Sequence, residues 1–143
     1  MVVLDVYFLQ KIYAKQHVFC DDIKYLILID DDLHINQFDM AVVIANALDN
    51  AIEGIQRSTG DIEKLISLDI HRASDYVSII VENNASGPVY SDFPTSKLDK
   101  KNHGFGMSQM EAISKKYNGS FRPSFDSEKR RFLLKVILKN QKN

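Results

Sequence analysis

Asn46, Asp49, Asn50 and Glu53 stand in the stretch NALDNAIEG, two amides and two carboxylates in a segment that otherwise reads as an amphipathic helix. Asparagine is a mediocre helix former, because its short amide competes for nearby backbone groups. Two of them at helical spacing need a reason other than propensity. On a wheel of about 100° per residue, Asn46, Asp49, Asn50, Glu53 and Arg57 share one stripe roughly 100° wide. Val43, Ile44, Ala47, Leu48, Ala51, Ile52 and Ile55 occupy the other faces. A narrow polar stripe in wide apolar surroundings describes a mostly buried helix whose amides line a crevice. A plain solvated stripe gives the same pattern, since a polar outer face is the default for a helix.

A second stretch with chemistry in it is TSKLDKKNHGFGMSQMEAISKKYNG. Gly104 and Gly106 flank Phe105 just where a new helix begins. Glycine lets a ligand come close to the backbone, and a helix N-terminus offers unpaired N–H groups and partial positive charge. Together these suit a polyphosphate. The glycines of an ordinary turn before a helix look the same. No Gly-Lys-Ser/Thr follows, so the stretch is not a P-loop.

The elements that must position these residues are legible in the pattern. Val3 to Gln16 reads as a helix, with Leu4, Tyr7, Phe8, Ile12 and Tyr13 at i, i+3, i+4 spacing. IKYLILI, from Ile23, is a short β-branched strand. Asp39 is the expected cap of the asparagine-bearing helix, which runs from about Met40 to Arg57 and is stopped by STGD. LISLDIH and YVSIIVEN alternate, and RASD joins them as a hairpin. Asn84 to His103 has no periodicity, and a structureless run of about 20 residues in a compact domain is usually functional or disordered. FGMSQMEAISKKYN is a further helix with Gly119 as its C-cap signal. SFRPSFD and RFLLKVIL close the chain as a second hairpin. Helix, strand, helix, two strands, loop, helix, two strands predicts an α/β (α+β) two-layer sandwich. Its mixed, mostly antiparallel sheet is covered on one face by three helices.

The bulk numbers agree with one domain over residues 1–143. A chain of 143 residues, 45 % hydrophobic and 26 % charged, is of ordinary globular composition. A formal net charge of -1 leaves no broad basic footprint, which argues against a nucleic-acid partner. Cys20 is the only cysteine, so an internal disulfide and a cysteine zinc site are both excluded, and a cytoplasmic location is expected. No apolar run approaches the roughly 20 residues that span a bilayer. The N-terminus has neither the basic region nor the cleavage site of a signal peptide. Met1 leads almost at once into the first helical pattern, so the chain is expected to be a piece of a longer protein.

Taken in order, NALDNAIEG, the strand end VEN and TSKLDKKNHGFGM resemble the catalytic ATP-binding domain of sensor histidine kinases. These belong to the GHKL, or Bergerat-type, superfamily with gyrase, MutL and the heat-shock chaperone ATPases. LDNAIE with TSK and HGFGM is most similar to the AgrC-like peptide-pheromone receptor kinases of quorum sensing. The resemblance spans nearly the whole chain and implies the same two-layer sandwich. It implies ATP and Mg²⁺ as cofactors, with Asn50 as the metal ligand. Magnesium keeps several waters and shares phosphate oxygens, so one neutral protein ligand suffices. Asn46, one turn earlier, would face the phosphates or a metal-bound water. Gly104 and Gly106 would let the backbone approach the phosphates, and Met107 would pack beneath the nucleotide. Lys97 and His103 would contact the phosphates as the loop closes over them; a solvated loop lysine fits Lys97 equally, whereas the neighbours of His103 favour function over an ordinary turn histidine.

The chain departs from the superfamily in three places, the mildest being Met107 where a leucine of similar volume is usual. Where most members have an Asp-x-Gly-x-Gly box, whose aspartate accepts from the adenine amino group, this chain has Asn83 and lacks both glycines. An asparagine oxygen still accepts from N–H₂, though more weakly than a carboxylate. Where the ATP hydrolases place a glutamate as general base stands Asn46, which cannot take a proton. The resemblance therefore implies γ-phosphoryl transfer to a histidine on a separate dimerisation domain of the same kinase. A response regulator would follow downstream, and the chain itself is expected to be a monomer from the cytoplasmic part of a membrane receptor. His17, His34, His71 and His103 are the chain's histidines, and none lies in a long helical hairpin. A nucleotide-binding interaction module without transfer activity, and an anti-sigma-type serine kinase, remain the alternatives.

Overall fold

Alternation decides the sheet. Buried positions recur at every second residue along Leu65–Ala73, Tyr76–Asn84 and Arg131–Lys139, as they must where one sheet face is covered and the other is not. The structure, a computed structural model, describes residues 22–29, 32–60, 62–86 and 104–142. The order of elements is β1 (Asp22–Leu28), α1 (Gln37–Arg57), β2 (Leu65–Ala73), β3 (Tyr76–Asn84), α2 (Gly104–Lys116), β4 (Ser120–Asp126) and β5 (Arg131–Lys139). Five strands form one sheet in the order β1-β2-β3-β5-β4. The β1–β2 pair is parallel, with α1 as its crossover, and the other three pairs are antiparallel. This is the expected mixed, mostly antiparallel sheet with helices on one face. The described residues contain two of the three expected helices; the one expected over Val3–Gln16 lies outside them.

The core lies between sheet and helices. Ile66, Leu68 and Ile70 on β2, Val77, Ile79 and Val81 on β3, and Phe132, Leu134, Val136 and Leu138 on β5 all point into it. Met40, Val43, Ile44, Ala47, Leu48, Ala51, Ile52 and Ile55 meet them from α1. Burying each large aliphatic or aromatic side chain contributes about 1.5–3 kcal/mol, so this interface dominates the stability of the fold.

Two details of the helix ends differ from expectation. Asp39 does not cap α1. The helix starts at Gln37 and its cap is Asn36, whose Oδ1 accepts from the backbone N–H of Phe38 at 2.7 Å and of Asp39 at 3.3 Å. Asp39 instead sits in the first turn, and its carboxylate is taken by α2: Tyr117 Oη donates to Oδ2 at 2.6 Å and Lys116 Nζ at 2.8 Å. The C-terminal signal of α2 is likewise divided between two residues. Asn118 takes the left-handed conformation, with φ 52. The amides of Asn118 and Gly119 donate to the carbonyls of Lys115 and Ser114 at 3.1 and 2.8 Å, the Schellman arrangement. Gly119 is needed for space: a Cβ there would lie 1.6 Å from the Ile137 carbonyl oxygen on β5.

Candidate functional site

The polar stripe of α1 faces the first turn of α2. Asn46 Nδ2 donates to Gln109 Oε1 at 3.0 Å. Gly106 lies against the same amide, and a Cβ on it would sit 3.2 Å from Asn46 Oδ1. The Asn46 side chain therefore occupies a notch between residues one turn apart on α2. Two turns away, Asp39 bonds Lys116 and Tyr117, so the two helices run antiparallel with a polar tether at each place. That geometry leaves the N-terminal turn of α2, with its unpaired N–H groups, beside the middle of α1.

Asn50 follows one turn beyond Asn46 and is buried, at 8 % exposure. Another turn on is Gly54, also buried. Its missing side chain makes room for Asn83, whose Nδ2 would lie 2.9 Å from a Cβ at position 54. Asn83 itself is 2 % exposed at the end of β3, and its Nδ2 donates to the Asn84 carbonyl at 3.1 Å. Its Oδ1 is thus the end of the amide left to accept. The C-terminus of α1 and the chain after β3 are pinned together: Ser86 N–H donates to Ser58 Oγ at 3.1 Å, and Thr59 N–H to Ser86 Oγ at 3.0 Å. These bonds hold Asn83 in place against the helix.

The candidate residues between Gly106 and Asn83 thus lie along one face of α1. Asn46, Asn50 and Gly54 stand at i, i+4 and i+8, which spans about 12 Å at 1.5 Å per residue. Met107, 7 % exposed, packs into the core at the Gly106 end, while Phe105 is 65 % exposed. Gly104 is the first residue of α2. Asp49 and Arg57 are exposed on the flank of the stripe and Glu53 is half-buried. Lys97 and His103 lie outside the described residues.

The residues present suit a magnesium–polyphosphate. Gly106 lets the first turn of α2 approach the Asn46 amide closely, and Asn50 offers a neutral oxygen of the hard kind that Mg²⁺ takes. Among the described residues no three His, Cys, Asp or Glu side chains cluster as a protein-only metal cage, so a metal held here would need oxygen ligands from the nucleotide and water. The electrostatics support the frame rather than the groove. Burial pushes the Asp39 carboxyl up, but the hydrogen bonds from Lys116 and Tyr117, with the lysine charge, outweigh it and leave the group below its ordinary value. Burial and the bond to Asp39 raise the Tyr117 hydroxyl.

A hollow of about 220 Å³ opens at the strand ends between Lys24, Ile66, Ser67, Glu82, Asn83, Asn84 and Arg131, and so reaches the Asn83 end of the candidate site. It is crossed by the Arg131–Glu82 ion pair at 3.9 Å and receives neither asparagine of α1.

Gly54 and Gln109 were not evident from the residue pattern. Gly54 had a signal, since a glycine within a helix costs about 1 kcal/mol against alanine and so asks for a reason. Gln109 had only its position three residues after Gly106, on the same face of α2.

The comparisons follow this geometry. No curated protein is similar enough in sequence to match. Among solved structures, the Acinetobacter baumannii histidine kinase AdeS superposes with a TM-score of 0.64 at 14 % identity, over 94 % of this chain and 61 % of that one. The chain thus spans less than two thirds of that kinase structure. The catalytic domain of histidine kinase ThkA gives 0.63 at 17 % identity, over 94 % of this chain and 86 % of that one. The Erythrobacter litoralis blue-light activated histidine kinase gives 0.60 at 13 % identity, over 94 % and 41 %. At such identities the likeness is one of fold. A family match goes further: residues 35–139, which hold the asparagine stripe, Asn83 and the Gly106 turn, match the GHKL domain. The chain belongs to the GHKL family of ATP-binding domains.

Proposed function

We propose that this chain is the ATP-binding catalytic domain of a two-component sensor histidine kinase, most similar to the AgrC-like pheromone receptors. The observation that carries the reading is the contact of Asn46 with Gly106, which joins the asparagine stripe to the glycine turn. In this reading Asn50 holds Mg²⁺ and Asn46 faces the phosphates. Gly104 and Gly106 admit the phosphates to the N-terminus of α2, where Lys97 and His103 reach them. Met107 packs beneath the nucleotide, and Asn83 Oδ1 accepts from the adenine amino group. The bound magnesium supplies charge neutralisation on the phosphates. The domain's own work is positioning, which is most of what phosphoryl transfer requires.

Asn46 stands where hydrolases of the superfamily carry a base, and an amide does not remove a proton from water. The receiving nucleophile is accordingly a histidine on a dimerisation domain of the same kinase, in the cytoplasm, with a response regulator as the later recipient. The domain is a monomer by itself.

Titration with a fluorescent ATP analogue, with and without Mg²⁺, tests the site. Asn50→Ala is expected to abolish the magnesium-dependent part of ATP binding and to leave metal-free ADP binding in place. Unchanged magnesium-dependent binding in that variant refutes the role of Asn50. The neutral acceptor at Asn83 favours a second reading, a nucleotide-binding module without transfer. Binding that is never followed by phosphate on a supplied dimerisation domain would put that reading ahead.

A further inference from the structure

We infer that Gln109 is a positioning residue for the nucleotide site, acting through the amide of Asn46; the inference rests on the nucleotide-binding reading above. Asn46 is a half-buried side chain with two rotatable bonds, and an amide can present either its oxygen or its N–H₂ to a ligand. The two ends are not interchangeable to a phosphate or to a metal-bound water. Gln109 couples that choice to its own amide. In the structure its Oε1 accepts from Asn46 Nδ2 at 3.0 Å, so inverting Asn46 while keeping the bond requires Gln109 to invert with it. With Nδ2 so engaged, Oδ1 is turned to Gly106. Both partners lie on one face of α2, one turn apart, so the same bond fixes the distance of the glycine turn from α1.

The bond is a long-range one, between residues 63 apart in sequence, and it sits at the phosphate end of the groove rather than at the Asn83 end. Its loss therefore acts on phosphate and metal recognition and leaves the base pocket alone. A net intramolecular hydrogen bond of about 1 kcal/mol corresponds to roughly a fivefold change in an equilibrium constant.

The experiment uses the whole chain, with Gln109→Met as a variant of similar volume that has no acceptor for an amide. Wild type, Gln109→Met, Asn46→Ala and the double variant are titrated with Mg·ATP and with metal-free ADP. Side-chain amide resonances of Asn46 are recorded in the absence of nucleotide. Gln109→Met is expected to weaken Mg·ATP about fivefold, change metal-free ADP less than twofold, and shift the Asn46 side-chain amide signals. Gln109→Glu, which keeps an acceptor, restores those signals. In the Asn46→Ala background, Gln109→Met is expected to cost nothing further. Additive losses in the double variant, or unchanged Asn46 resonances in Gln109→Met, overturn the inference while nucleotide binding stands. A wild-type chain that binds no nucleotide overturns the reading of the site, and the positioning role with it.

Discussion

Two glycines carry opposite consequences at the residue scale. At Gly54 the atom that a new Cβ would meet, at 2.9 Å, is the far end of the Asn83 side chain and not backbone. Alanine is also the better helix former by about 1 kcal/mol. Gly54→Ala is therefore expected to melt at or above the wild-type temperature while, on the proposed role of Asn83 Oδ1 as acceptor for the base, its affinity for metal-free ADP falls several-fold. Stability and binding move in opposite directions, which a merely structural glycine would not do. At Gly119 the atom in the way is the Ile137 carbonyl of β5, at 1.6 Å. Backbone cannot swing aside. Gly119→Ala is expected to cost about 1–3 kcal/mol, at the upper end of the range for overpacking, measured by urea unfolding.

At the scale of elements, the antiparallel pair of α1 and α2 is held at two places, and only one of them lies at the site. The Asp39 tether is remote from Gly106 and has a pH signature of its own. A carboxyl whose folded-state pKa lies below the unfolded value stabilises the fold above the unfolded pKa and ceases to do so as pH falls through the folded one. For Asp39 the ordinary value is 3.8 and the folded one lies lower. Wild type is thus expected to be more stable than Asp39→Asn at pH 7, by about 1 kcal/mol for the hydrogen bonds weakened. The two converge once pH drops below the folded pKa, under 3.8. Thermal melts of both proteins from pH 7 to pH 3 measure this. A constant gap across that range contradicts the tether. Because the substitution loosens α2 far from the phosphates, Mg·ATP affinity should change less than twofold at pH 7.

For the whole molecule the decisive quantity is where the γ-phosphoryl group goes. A positioned acid or base contributes about 10²–10⁴-fold to a rate, and Asn46 supplies none for water. ATP turnover by the isolated chain is expected to be very slow, whereas a cognate dimerisation domain added in trans should take label from ATP on its histidine, and Asn50→Ala should abolish that transfer. Vigorous hydrolysis without transfer would sink the kinase reading. No helix among the described residues is long and apolar enough to cross a membrane.

Local pattern in the sequence was enough for the strands, the hairpins and the face of α1 that meets the core, because period-2 and period-3.6 burial is written residue by residue. Val43, Ile44, Ala47 and Ile55 are buried as their spacing requires. Motif order was enough to suggest the family, since Asn46, Asn50 and the Gly104–Gly106 turn keep their types and sequence. What pattern could not decide was which groups pair across the chain. Asn36 and Asp39 are both good caps, and the choice of Asn36 depends on Lys116 and Tyr117, which claim the Asp39 carboxylate from 77 and 78 residues away. Asn118 and Gly119 both read as helix stops. Gly119 is required because β5 passes behind it, a contact that exists only once the sheet has formed. The place of Gly54 over Asn83 and the grip of Gln109 on Asn46 are of the same kind. Their partners are distant in sequence, and only the packing of α1 against β3 and α2 brings them within reach.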